Sequence, residues 1–321
     1  MGAVLPKRKT LDQYEGMVES GDGNKTGSRD VMCPICRSIQ NHLWKKSDSS
    51  VIRPEDLAIT DKRYGMTFEI RECECGFRFA PPSATDQLLE LYKELDDPAY
   101  ELGRESRLAQ QSSLLQRLRE LMPASTSLLD VGAANGMLVD LAGRAGLRSV
   151  GVEPSESLAA AARMRGLDVR TGTLPMKALE SEKFDLVACV DVIEHVAEPL
   201  ALLHACRTQL NPNGKSLIVT PDAASFAARV LGKRWWHLRL AHVGYFTPST
   251  LAYALNLAGF EVELQWRPGW SFEIGYLAER VGSYIPGASW LADRSRQTRL
   301  MGKTVPLYLF DSIAVVARLA H

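Results

Sequence analysis

Three groups of residues in this 321-residue chain have types and spacings that could do chemistry. The first is a carboxylate followed by small residues, Asp130-Val131-Gly132-Ala133-Ala134-Asn135-Gly136. The stretch from 125 to 140 reads as a short buried strand ending at Val131, a glycine-containing turn and a new helix. Gly132 and Gly136 can take backbone angles closed to other residues, and the helix N-terminus offers unpaired N–H groups, so the layout is that of a nucleotide-cofactor loop. The spacing is D-x-G-x-A-x-G, with Met137 where a dinucleotide site wants its third glycine, which weakens a dehydrogenase reading. A second apolar strand, Ser149-Val150-Gly151-Val152-Glu153, ends in another carboxylate about twenty residues further on, where doubly wound nucleotide folds keep an acid for the ribose hydroxyls.

The second group is Asp191-Val192-Ile193-Glu194-His195, at the carboxyl end of a predicted strand over 184–190. Open parallel sheets bind ligands outside such strand ends. A histidine there can accept a proton near neutral pH, so His195 is the candidate general base, with Glu194 orienting it or the acceptor. The alternative is that Glu194 caps the next helix and His195 only packs. A divalent metal on Asp191, Glu194 and His195 is a further alternative. Downstream, Lys233-Arg234-Trp235-Trp236-His237-Leu238-Arg239, then His242, Tyr245 and Phe246, combine cations with stacking surfaces. Such a run could hold a sugar, an aromatic ring or a phosphate, and His237 and His242 are the next candidates for acceptor contact or proton transfer. His204, within an apolar helix, reads as structural.

The third group is Cys33-Pro34-Ile35-Cys36 with Cys73-Glu74-Cys75-Gly76. Four thiolates on two turns suit a tetrahedral structural zinc ion, which would leave no open position for chemistry. The second pair is C-x-C where a zinc ribbon has C-x-x-C, and the gap is long; reduced, unligated cysteines are the alternative, with His42 as a substitute ligand. Cys189 and Cys206 read as packing thiols.

The Asp130–Gly136 loop resembles the first motif of class I S-adenosylmethionine (SAM) dependent methyltransferases, with Ala134 where that family usually has its middle glycine. The resemblance implies that Asp130 faces the methionine amine of a cationic cofactor and that Glu153, beside Pro154, takes the ribose. It also sets Thr173 and Leu174, after the third strand, where adenine is held; the family often has an acid there, and Gly172-Thr173 lacks one. Asp191 and Val192 belong to the same cofactor face. Asp191 to His195 is similar to the corresponding stretch of ubiquinone-biosynthesis O-methyltransferases and their small-molecule relatives. The cysteine-rich start resembles zinc-binding modules attached to some bacterial methyltransferases of sugar and secondary-metabolite pathways.

The elements that must position these groups alternate between strand and helix. Ser155 can cap a helix stopping at Gly166, strands follow near 168–170, 184–190 and 215–220, and Thr247-Pro248 opens a helix that Gly259 closes before Phe260 to Leu264. Strand and helix alternate throughout, as a parallel doubly wound α/β sheet requires. With the resemblance, the fold class expected is a Rossmann-like seven-stranded sheet whose antiparallel last strand is the run from Asp311 to Leu319. The expected organisation is a disordered polar tail over 1–30, a zinc-ribbon-like module over 31–82 ending at a Pro81-Pro82-Ser83 linker, a helical lead-in over 83–124 and the catalytic domain over 125–321. Residues 267–304 form an insertion in which Ile274, Leu277, Val281, Tyr284 and Ile285 recur at helical spacing. That stripe suits core packing or a homodimer, or a cap over a greasy acceptor.

Composition bounds the rest. Lys plus Arg and Asp plus Glu both number 38, which gives no general attraction to nucleic acid, and no nucleic-acid partner is expected. No apolar run is long enough for a bilayer and no signal-peptide pattern opens the chain, so the expected location is cytoplasmic. The resulting expectation is a SAM-dependent methyltransferase acting on a hydroxyl of a small molecule or glycan. The alternatives are C-methylation of a nucleotide-linked sugar and a non-catalytic SAM-binding module that assists a partner.

Overall fold

The computed structural model describes residues 31–48, 52–58, 65–85, 87–95, 104–274, 304–307 and 310–320. The polar tail and nearly all of the helical stripe in the insertion lie outside the described residues. The chain opens with β1 (Asn41–Lys45), β2 (Ile70–Cys73) and β3 (Arg78–Phe79), an antiparallel meander. Pro82, expected in a linker, instead begins the one-turn α1 (Pro82–Thr85), since proline costs nothing at a first helical position. The lead-in continues as α2 (Leu88–Lys93) and α3 (Arg104–Leu121), which buries Leu114, Leu115 and Leu118 against Leu128 and Leu186 of the sheet and Leu138 of the helix that follows its first strand.

The alternation then proceeds as β4 (Ser127–Val131), α4 (Met137–Arg144), β5 (Arg148–Glu153), α5 (Glu156–Met164), β6 (Val169–Thr171), β7 (Phe184–Val190), α6 (Pro199–Gln209), β8 (Leu210–Pro221), α7 (Phe226–Leu231), β9 (Gly244–Tyr245), α8 (Pro248–Leu257) and β10 (Phe260–Trp266). Ser155 accepts the Leu158 N–H at the start of α5, and Thr247 with Thr250 closes a reciprocal cap on α8, each cap contributing about 1 kcal/mol. β8 is longer than its sequence pattern because Leu210 already pairs with Phe184; residues 211–214 then bulge out before Lys215 resumes opposite Leu186. Near the two ends of the insertion, β11 (Trp270–Glu273) and β12 (Thr304–Leu307) pair antiparallel.

The main sheet has the order β10-β13-β8-β7-β4-β5-β6, with β13 (Ser312–Leu319) antiparallel to both neighbours. From β4 the chain winds outward through β5 and β6, then returns to β7 on the other side. The strand order therefore reverses between β4 and β7, where such sheets open a ligand crevice. β4 is buried at all five positions, as a strand covered on both faces must be.

The small sheet does not stand apart: β9, from the chain that follows β8, completes it in the order β1-β2-β3-β9. Cys33, Ile35, Cys73, Phe77 and Phe79 share one core with Val187, Ile218, Phe246 and Leu251. Phe77 and Phe246 meet with ring centroids 4.7 Å apart. Cys189 and Cys206 are fully buried in the same core.

Candidate active site

β4 and β5 are parallel neighbours, so Asp130 and Glu153 emerge on the same side of the switch point. Both are buried, and burial raises each carboxyl to about 7, helped at Asp130 by the charge of Glu153. Glu153 accepts the Ala134 and Ser155 N–H groups through its two oxygens, each at 2.8 Å, so it locks the turn after β4 to the start of α5. The turn itself runs through left-handed backbone at Gly132, Ala134 and Gly136, with φ of 77°, 46° and 80°. At Gly132 an added Cβ would lie 2.3 Å from Val192 Cγ2, so hydrogen is the only side chain that fits. Ala134 takes the same unusual region with a methyl group, at a cost of about 1 kcal/mol.

Pro154 is half-buried, Thr173 is exposed beyond β6 and Leu174 packs against the edge of the core. Leu108 of α3 packs against Ala134, Met137 and Leu158, and the Ser155 hydroxyl donates to the Leu95 carbonyl at 2.9 Å. The lead-in thus covers both the sheet and the flank of the turn between β4 and α4.

At the end of β7 the chain turns through Asp191, φ 54°, into a single 3-10 turn over Ile193–His195. Asp191 is exposed, so the upward pull on its carboxyl from the surrounding protein and Asp311 acts less than on its buried neighbours. Glu194 is buried; burial and the charge of Asp191 push it far above the usual carboxylate range. Its Oε2 accepts from Thr220 Oγ1 at 3.0 Å, while Oε1 is buried with no hydrogen-bond partner.

His195 is held at Nδ1, 2.8 Å from the Ala241 carbonyl. Burial and the cation of Arg239 pull its pKa down to about 4, tempered by its partial opening to solvent. A neutral ring in this setting donates from Nδ1 and leaves the Nε2 lone pair open. His242 sets its ring edge-on to His195 at 4.7 Å, and His237 stacks on His242 at 5.8 Å. His237 Nε2 is 3.3 Å from Asp311 Oδ2, which also accepts from Trp236 Nε1 at 2.8 Å.

The structure therefore brings His195, Glu194, His237 and His242 together, while His204 lies on the exposed side of α6. The group that could hold a cation is Glu194, His195 and His242, whose ligand atoms lie within 4.8 Å of one another; Asp191 is not part of it. Sequence reasoning missed Thr220 and Asp311. Both are ordinary residues of strand termini, and only the sheet order sets β8 beside β7 and β13 beside β8.

The four cysteines converge as their spacing implied. Cys33 and Cys75 sulfurs are 3.8 Å apart, Cys36 and Cys73 sulfurs 3.4 Å, and all four lie within 4.8 Å of one another. Tetrahedral zinc with bonds of about 2.3 Å needs sulfurs about 3.8 Å apart, so the set fits that ion. Hydrogen bonds from Cys33 and Cys75 drive Cys36 toward thiolate, while Cys33 and Cys75 are driven up by that same sharing. His42 is not in the set; its Nε2 faces Glu72 at 3.7 Å.

A methyltransferase-domain family model matches residues 102–265, just over half of the chain. This chain belongs to that family. It is a methyltransferase domain of the SAM-dependent class I type, with the buried carboxylates Asp130 and Glu153 at the ends of β4 and β5. It is 31% identical over 161 residues to a ubiquinone biosynthesis O-methyltransferase of Xanthomonas axonopodis pv. citri, covering 44% of this chain and 66% of that protein. To the protein of the same name from Cereibacter sphaeroides strain KD131 it is 33% identical over 147 residues, covering 42% and 60%. The chain thus spans less than two thirds of the length of these relatives. Among solved structures, a SAM-dependent methyltransferase from Archaeoglobus fulgidus aligns over 69% of this chain and 99% of its own, at TM-score 0.46 and 18% identity. No described helix is long and apolar enough to cross a membrane.

Proposed function

We propose that this methyltransferase moves a methyl group from SAM to a hydroxyl of a small-molecule or glycan acceptor. The observation that carries the reading is the run of acids at three adjacent strand ends: Asp130 on β4, Glu153 on β5, and Glu194 with His195 after β7. SAM supplies an electrophilic methyl on a sulfonium. In this reading Asp130 holds the methionyl amine, Glu153 and Pro154 border the ribose, and Thr173 and Leu174 flank the adenine. Gly132, Ala134 and Gly136 let the cofactor approach the main chain, with Asp191 and Val192 on the opposite wall. Two buried carboxyls raised to about 7 suit a cationic ligand, because a positive charge beside them restores ionisation.

His195 Nε2 takes the acceptor hydroxyl's proton as the oxygen attacks, while Nδ1–H stays anchored on Ala241. A ring with so low a pKa is a weak base, so proton removal keeps pace with methyl transfer instead of preceding it. Glu194, protonated in its buried setting, can donate to the acceptor, and His237 and His242 line the approach. The names of the relatives, O-methyltransferases, support oxygen as the nucleophile. Zinc on Cys33, Cys36, Cys73 and Cys75 is structural in this account.

The test is His195→Ala, assayed with labelled SAM against phenols, catechols and sugars. The expected result is a loss of turnover of about 100-fold or more with SAM affinity retained. Turnover near the parent's with SAM bound would remove the general-base role.

A further inference from the structure

A cleft of about 320 Å³ lies between the outer face of the small sheet and α7, away from the cofactor acids. One wall is Trp44, Glu72 and Arg78 of β1 to β3; the other is Ala223, Ala224, Ala228 and Arg229. Small side chains hollow the second wall. Arg78 lies flat on the Trp44 indole, its guanidinium carbon 4.4 Å from the ring centroid, and Glu72 grips its edge at 3.0 Å. Lys233 brings its ammonium to 6.0 Å from the same ring. Arg78 and Arg229 line the cleft and the exposed Lys233 stands beside it over Trp44, against one lining carboxylate, Glu72, that is already paired. Trp44 and Glu72 together fix the guanidinium: Nε and Nη2 are engaged by Glu72, which leaves Nη1 to donate to a phosphate oxygen.

The cleft is wired to the proposed chemistry by two short links. Thr220, which bonds Glu194, is four residues before Ala224, so at most about 14 Å of chain separates the two. Tyr245 lines the cleft and donates its hydroxyl to the His242 carbonyl at 2.8 Å.

We infer that this cleft holds a phosphate ester carried by the acceptor, at the end remote from the atom that is methylated. The inference rests on the methyl-transfer reading for the direction of the acceptor, and it favours acceptors with a phosphorylated or nucleotide-linked tail over bare phenols. A lone phosphate would not fill the volume, so the cleft takes the group bonded to it as well. Trp44 packs against Ile70, Ala228, Trp235, Leu238 and Tyr245, which keeps the cationic wall rigid.

The test is calorimetric titration of the full chain with inorganic pyrophosphate and, separately, with a nucleoside diphosphate, each at low and high salt. The protein is compared with Arg229→Glu, Lys233→Glu and the control Arg117→Glu, which lies on the exposed side of α3. Expected are salt-sensitive binding to the parent, at least tenfold weaker binding in the first two variants and parent-like binding in the control. Equal affinity for both probes would mean that phosphate alone is recognised; tighter nucleoside diphosphate binding would mean a nucleotide tail. No binding by the parent, or equal weakening in the control, overturns the inference. SAM titrated into the same samples reports folding independently. If the parent binds the phosphate probes and not SAM, the methyl-transfer reading falls and the anion site stands.

Discussion

At the residue scale, the proposed role of the buried acids predicts that cofactor binding depends on pH in a defined direction. Asp130 and Glu153 each titrate near 7 in the free protein, against about 4 for exposed carboxyls. Without cofactor, stability is therefore greatest where both are protonated and falls as pH rises from about 4 to about 7, because ionisation costs more in the folded state. A cationic ligand reverses that preference and drives protons off. SAM affinity is accordingly expected to rise as pH goes from 6 to 8, by up to about tenfold per unit for each proton released, and to level off above the raised pKa values. Calorimetry in buffers of different ionisation enthalpy would count the protons. Asp130 and Glu153 were legible in sequence because each is a carboxylate closing a short apolar run. The partners of Glu194 and His237 were not, since Thr220 and Asp311 lie far along the chain and meet the site only through strand order.

At the scale of elements, the turn from β4 to α4 is the narrowest constraint. Gly132→Ala forces a left-handed φ on alanine and drives its methyl into Val192. The expected loss is about 2–3 kcal/mol of stability, read by thermal denaturation, with SAM binding lost as the turn shifts. Adding Val192→Ala should recover the part due to contact and leave the part due to φ, so partial rescue is the outcome to look for. Full rescue would mean the backbone angle costs nothing. The glycine spacing exposed this turn in the sequence. The extended β8 and the helical use of Pro82 stayed hidden, because a bulge over 211–214 and a proline at a helix start both resemble loop sequence.

At the scale of the whole molecule, the cysteine cluster and the candidate catalytic groups are parts of one structure. β9 pairs with β3, Val243 donates to the Glu194 carbonyl at 2.8 Å and accepts from Ala80 at 2.8 Å. The cysteine motif showed four ligands in the sequence; nothing in it showed that residues 244–245 would complete their sheet. Removal of zinc with a chelator, or Cys33→Ser with Cys36→Ser, should lower the melting temperature and weaken acceptor turnover, while SAM affinity changes little because β4 and β5 do not touch the small sheet's ladder. Metal content by mass spectrometry reports whether the ion was there to remove. Parent-like melting and turnover after complete metal removal would detach the cluster from the site. The central claim, however, is that the acids at the ends of β4 and β5 hold SAM. It is tested most directly by titrating SAM into the full chain and into Asp130→Ala and Glu153→Ala. The account predicts binding by the parent and at least tenfold weaker binding in each variant; no binding by the parent, or unchanged affinity in both variants, would contradict it.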